Sequence, residues 1–360
     1  METLGLRDPA LIRSIADKIK AIAPSHEVKL CHICGTHEYT VTHFGLRTLL
    51  PKNVEVIAGP GCPVCVVPAK EIDEAVRLAN QGTTVLTFGD MYRVAGSETS
   101  LADAKTLGAD VRIVYSVSEA VAMARREADK EFVFFAIGFE TTAPTNACEI
   151  MSGVPENLSF LVSHRLIPPA MELLMGVGDL KIDGFICPGH VATITGTKAF
   201  ELFPEAYGMP TVIAGFEPAD FLLAILMALK QLRTKPKLEN EYVRSVTYEG
   251  NVRAQRFISR VFDTVDGEWR GIGLLPLSAY KLKDELSTFD ARLKYDIKVG
   301  PSRDIPPGCS CHLVIIGKIP PTECPLFMKE CRPEHPLGPC MVSLEGTCQI
   351  WAAHREHRLL

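Results

Sequence analysis

An α/β protein with parallel sheets is what this sequence predicts, and three features predict it. Between residues 28 and 218, eight short β-rich apolar runs alternate with helical stretches. The runs are apolar throughout rather than alternating, which marks strands buried on both faces. The helical stretches between them supply the crossovers that parallel neighbours require.

In order, the strand runs are VKLCHIC (28–34), VEVIAG (54–59), TTVLTFG (83–89), VRIVYS (111–116), FVFFAIG (132–138), LSFLVS (158–163), DGFIC (183–187) and TVIAG (211–215). AKEIDEAVRLANQG and SVSEAVAMARREADKE, which lie between strands, space their apolar residues as amphipathic helices do. The first 24 residues read as a further amphipathic helix, without an apolar signal core or a small-residue cleavage site. Two halves of four strands are expected, divided where the charged RREADKE stretch (125–131) precedes a fresh strand. Beyond residue 232, RTKPKLENEY reads as a linker, and the chain to residue 295 as strands plus a helix. From Gly300 onward it is rich in Pro, Gly and Cys with little periodicity. Such a segment is expected to need a metal to hold it.

A length of 360 residues implies two or three compact units. At 47% hydrophobic and 22% charged residues, the chain is able to bury cores. A net charge of −5 argues against nucleic acid, whose phosphates require a basic surface. The longest apolar run, 221–229, is far short of the roughly 20 residues of a membrane span. A cytoplasmic protein without structural disulfides is therefore expected. Against that expectation stand twelve cysteines, and clustered thiols in a reducing compartment point to metal or redox chemistry.

The unusual polar residues fall just after the predicted strands: Cys34, His37 and Glu38; Cys62 and Cys65 in GPGCPVC; Gly89-Asp90; Glu140 in GFETTAP; His164-Arg165; Cys187 and His190; Glu217. Ligands of parallel sheets bind outside the carboxyl ends of the strands, so these loops are expected to line a shared cleft. Cys62 and Cys65, three apart at a strand-to-helix junction, suit reversible dithiol–disulfide chemistry. The alternative is a zinc site completed by Cys31 and Cys34, although strand alternation makes Cys31 a packing residue. Cys34 with His37 and Glu38 offers a soft thiolate backed by imidazole and carboxylate, a set suited to a low-valent metal. Six further thiols lie in the tail, at Cys309, Cys311, Cys324, Cys331, Cys340 and Cys348. Four of them fit a [4Fe–4S] cluster or a zinc site, and spacing does not choose which. Cys148 reads as core, Cys187 as either core or cleft, and His354 and His357 as a solvated tail.

At CGTHE (34–38), GPGCPVC (59–65), GFETTAP (138–144), PGH (188–190) and PLGPCMVSLEGTC (336–348), the sequence resembles the HypD family of hydrogenase maturation factors, over nearly its whole length. The resemblance implies two α/β domains facing across a cleft, at 25–128 and 129–232, and a third α+β domain, made of 1–24 and 233–360, carrying a [4Fe–4S] cluster. It implies Cys309, Cys324, Cys331 and Cys348 as cluster ligands, with Cys311 an extra thiol and Cys340 a non-ligand near the cleft. It implies that Cys34 holds the iron of an Fe(CN)2CO moiety together with the small partner HypC, cyanide coming from HypE, which HypF supplies.

The mechanism expected is a scaffold with redox activity. Cys34 ligates iron, His37 serves as donor or proton carrier, Cys62 and Cys65 store two electrons, the cluster relays electrons to them, and Glu345 assists with protons. The rivals are a thiol–disulfide oxidoreductase with an iron–sulfur cluster and a zinc-stapled interaction module. No G-x-G-x-x-G or P-loop motif supports a nucleotide-dependent enzyme.

Overall fold

The computed structural model describes residues 5–354. Its strands are β1 (Val28–His32), β2 (Val54–Ala58), β3 (Thr84–Thr87), β4 (Val111–Ile113), β5 (Phe132–Gly138), β6 (Leu158–His164), β7 (Gly184–Pro188), β8 (Thr211–Ala214), β9 (Leu238–Asn240), β10 (Phe262–Trp269) and β11 (Gly273–Leu282). The eight predicted runs are β1 to β8. Nine strands form two parallel sheets, ordered β2-β1-β7-β8-β9 and β4-β3-β5-β6, and β10 and β11 form an antiparallel hairpin.

The chain therefore does not divide its strands at 125–131. It leaves the first sheet after β2, builds the whole second sheet, and returns at β7. The charge run expected to mark a boundary is the last two residues of the helix Val117–Arg126 and the turn that follows it. Its Glu127 and Lys130 make ion pairs with Arg112 and Asp110 at the edge of the second sheet. Stretch 233–242 is not purely a linker, because β9 pairs with β8 inside it.

Helix α1 (Pro9–Ile22) starts at Asp8, whose carboxylate accepts the Ala10 N–H at 2.9 Å. Its Ile15 and Ile19 pack with Phe221, Leu222 and Ile225 of the helix Pro218–Gln231 against Val28, Val56 and Val212. The apolar run at 221–229 is thus a buried helix face. The N-terminal helix belongs to the first sheet, not to a third domain as expected. No helix of the described residues is long and apolar enough to cross a membrane.

The hairpin lies along β6, where Leu166 N–H donates to the Ser278 carbonyl at 2.9 Å and Arg165 bridges Ala279. Trp269, fully buried at the hairpin tip, donates from Nε1 to Ser278 Oγ at 2.9 Å and stacks on Phe139. The tail, expected to need a metal to hold it, packs into the body of the molecule. Cys311, Val314, Ile315, Met341, Val342 and Cys348 join one large core shared with both sheets and the hairpin. Apolar burial anchors it.

Candidate functional site

Both sheets reverse their strand order. The first reverses between β1 and β7 and the second between β3 and β5. At such a point the flanking loops diverge and leave a crevice beyond the carboxyl ends of the strands. Cys34 follows β1 and opens helix α2 (Gly35–His43) at that position.

Glycines let the backbones meet there. A Cβ on Gly61 would stand 2.2 Å from Cys34 N and 2.4 Å from its Cα, and Gly35 N–H donates to the Gly61 carbonyl at 3.2 Å. Gly35 in turn lies against Glu345. The result is a cavity of about 10 Å³ lined by Cys34, Gly59, Cys62, Cys65, Cys340 and Glu345. Residues from three distant stretches, each bearing a thiol, thus share one small space.

Cys34 is half-buried, and burial pushes its thiol up to about 12. The N–H groups of His37 and Thr36 pull the other way, and Glu345 adds to the rise. Cys34 is a thiol unless a cation neutralises it, as a bound metal would. Burial and the neighbouring Asp90 also raise the Glu345 carboxyl. Cys62 and Cys65 are joined as a disulfide with Cα atoms 5.3 Å apart. The next helix, α3 (Ala69–Asn80), begins four residues beyond Cys65, so the disulfide sits ahead of the helix rather than in its first turn.

Two expected roles change. The His37 imidazole does not turn to Cys34. Its Nε2–H donates to the Gly215 carbonyl at 2.9 Å, its ring stacks on Phe216, and burial pushes its pKa down to about 3. Glu38 does not face the thiol either. It accepts from Arg47 at 2.8 and 3.0 Å, Thr42 at 2.7 Å and Trp351 at 2.5 Å, and lies 2.9 Å from His32 Nε2. Burial alone would raise the Glu38 carboxyl, yet Arg47 and His32 hold it well below the usual range. Its neighbours come from β1, α2 and the helix Thr347–Ala353, so Glu38 ties the Cys34 helix to the Cys348 helix. Sequence spacing gave no sign of His32 or Trp351, because neither falls after a strand in a recognisable motif.

The zinc alternative does not assemble. Cys31 is fully buried on the Ile33 face of β1, and Cys62 and Cys65 are bonded to each other. Cys187 is likewise core, next to Cys31, whereas Cys148 is only half-buried. His354 packs against Tyr39 and His43 rather than forming a solvated tail, and His357 lies outside the described residues.

All six tail thiols gather. Cys309 has Cys311 and Cys324 as electrostatic neighbours, and Cys348 has Cys340. Cys331 feels both Cys309 and Cys324. Backbone N–H groups point at sulfur, from Ser310 to Cys324 at 3.5 Å, Leu337 to Cys331 at 3.4 Å and Cys348 to Cys340 at 3.2 Å. Cys309, helped by Cys311 and against burial, is pushed down to about 6. Among the described residues, no three or more His, Cys, Asp or Glu side chains converge as a single metal ion would need.

A family model named HypD, described as the hydrogenase formation hypA family, matches residues 10–355. The chain belongs to the HypD family. It is 48% identical over 357 residues to a Methanocaldococcus jannaschii protein assigned to hydrogenase expression and formation, covering 98% of this chain and 99% of the relative. It is 43% identical to hydrogenase maturation factor HypD2 of Bradyrhizobium diazoefficiens, covering 97% and 94%. It is 41% identical to hydrogenase maturation factor HypD of Azotobacter vinelandii, covering 98% and 96%. In this HypD chain, four of the five motifs that suggested the family, CGTHE, GPGCPVC, PGH and PLGPCMVSLEGTC, lie at the first sheet's strand-order reversal or in the tail packed against it.

Proposed function

We propose that this chain is a hydrogenase maturation factor that assembles Fe(CN)2CO on Cys34 while bound to HypC. HypE delivers the cyanide and HypF acts upstream of it. One observation carries this reading: Cys34, the Cys62–Cys65 disulfide and Cys340 share a single cavity, and Cys340 also touches Cys348 of the tail. The iron cargo binds a thiolate, and the neighbouring disulfide takes up two electrons and two protons when its bond opens. A cavity of about 10 Å³ holds no more than one small guest.

A [4Fe–4S] cluster at Cys309, Cys324, Cys331 and Cys348 would supply single electrons. The donor set suits it, because four thiolates hold such a cluster at separate iron corners and need not converge on one point. Sulfur-directed N–H groups of Ser310 and Leu337 stabilise the charge of those thiolates. Cys340 occupies the place between the tail and the cavity.

Replacing Cys34 by Ala should abolish infrared cyanide and carbonyl bands in the complex with HypC and leave absorption near 400 nm intact. Persistent bands in C34A would reject Cys34 as the iron ligand.

A further inference from the structure

Arg270, in the turn between β10 and β11, is 1% exposed, and the mechanism above leaves it unused. Its backbone N–H donates to the Val66 carbonyl at 2.9 Å, one residue beyond the disulfide. Its Nε–H donates to the Asp304 carbonyl at 2.7 Å and Nη2 to the Ala95 carbonyl at 2.9 Å. Nη1 has no partner. The Asp304 carboxylate does not form an ion pair with it, because its two oxygens accept the N–H groups of Ala69 and Gly271, each at 2.8 Å. Asp73, the other acid near enough to act on it, accepts from Ser97 and Ser302.

A buried guanidinium with idle donors is costly unless something completes it. Thiols are among the groups that act on its charge. The Arg270 charge interacts with Cys311 and Cys309, and the turn presses on the same segment, since a Cβ on Gly271 would lie 2.7 Å from His312 Cβ. Cys309 and Cys311 present their sulfurs together, 3.0 and 3.6 Å from a Cβ placed on Gly338.

We infer that Arg270 is a positioning residue for the tail's metal centre, its free Nη1–H donors completed by thiolate or cluster sulfur on the Cys309–Cys311 side. This rests on the reading of the tail as an iron–sulfur site. A hydrogen bond and a positive charge at sulfur favour the reduced, more negative state, so Arg270 raises the reduction potential of the centre. The hairpin tip thereby carries charge control to the cluster and, through Val66, backbone support to the redox loop.

The experiment is an EPR-monitored redox titration of the anaerobically purified full chain as wild type, R270K and R270Q. R270Q should shift the midpoint to more negative potential and lose iron faster to a chelator, while R270K, which keeps the charge, stays between R270Q and wild type. Equal midpoints in all three would overturn the inference and leave the cluster reading standing. A wild-type chain that binds no iron–sulfur centre would overturn both. If R270Q does not fold, wild-type protein carrying guanidino-15N arginine decides the matter. A 15N hyperfine coupling to the reduced centre supports the contact, and its absence overturns it.

Discussion

Glu140 is a buried carboxyl with one oxygen accepting the Ile167 N–H at 2.9 Å and the other unpartnered. Burial pushes its pKa up to about 7. The folded chain therefore holds this proton more tightly than the unfolded chain, and stability falls as pH rises from about 4.5 to 7. Gln keeps an acceptor for Ile167 and does not titrate. The stability advantage of E140Q over wild type should grow by about 2 kcal/mol between pH 5 and pH 8. Urea midpoints at the two pH values test this, and a constant difference would mean the carboxyl is already solvated. Glu38 has the opposite sign. Its pKa is depressed in the fold, so its contribution is present above the ordinary carboxylate range and is lost as pH falls. E38Q should cost about 3 kcal/mol at pH 7, because it leaves Arg47 without its buried partner. The deficit should shrink on acidification.

At the scale of elements, the site depends on how closely two loops approach. A Cβ at Gly61 would overlap Cys34 N, Cys34 Cα and the Ile33 carbonyl carbon, all backbone atoms that have no rotamer to yield. G61A should therefore separate the 59–65 loop from the start of α2, at a cost of about 3 kcal/mol, as overpacking does. Maleimide labelling of Cys34 should become faster in G61A, and unchanged labelling would show that the junction relaxes elsewhere. The strut between Glu38 and Trp351 acts at the same level. It fixes the Cys34 helix against the helix that carries Cys348, so thiols more than 300 residues apart in sequence keep a set relation.

Across the whole molecule, the hairpin and the tail are wedged into a core common to both sheets. Trp269 is the largest side chain buried there. W269A should cost about 4 kcal/mol, with the added loss of the indole bond to Ser278. Calorimetry should show one lowered transition. Two separated transitions would mean that the sheets and tail unfold independently.

Strand identity was legible in the sequence, since eight apolar runs became eight parallel strands. Cys31 as packing and Cys34 as the residue at the strand end followed from alternation alone. Strand partnership was not legible, because every buried parallel strand shows the same apolar run whichever sheet it joins. The return of β7 to β1 was therefore misread as a division at 125–131. The direction of His37, the burial of Arg270 and the place of Trp351 were equally hidden. Each depends on a neighbour between 34 and 313 positions away, and no local pattern encodes such contacts. Sequence determined which atoms are available at the strand ends. Tertiary packing decided which of them meet, because the low dielectric and close approach that shift a pKa or align a thiol exist only once distant loops converge.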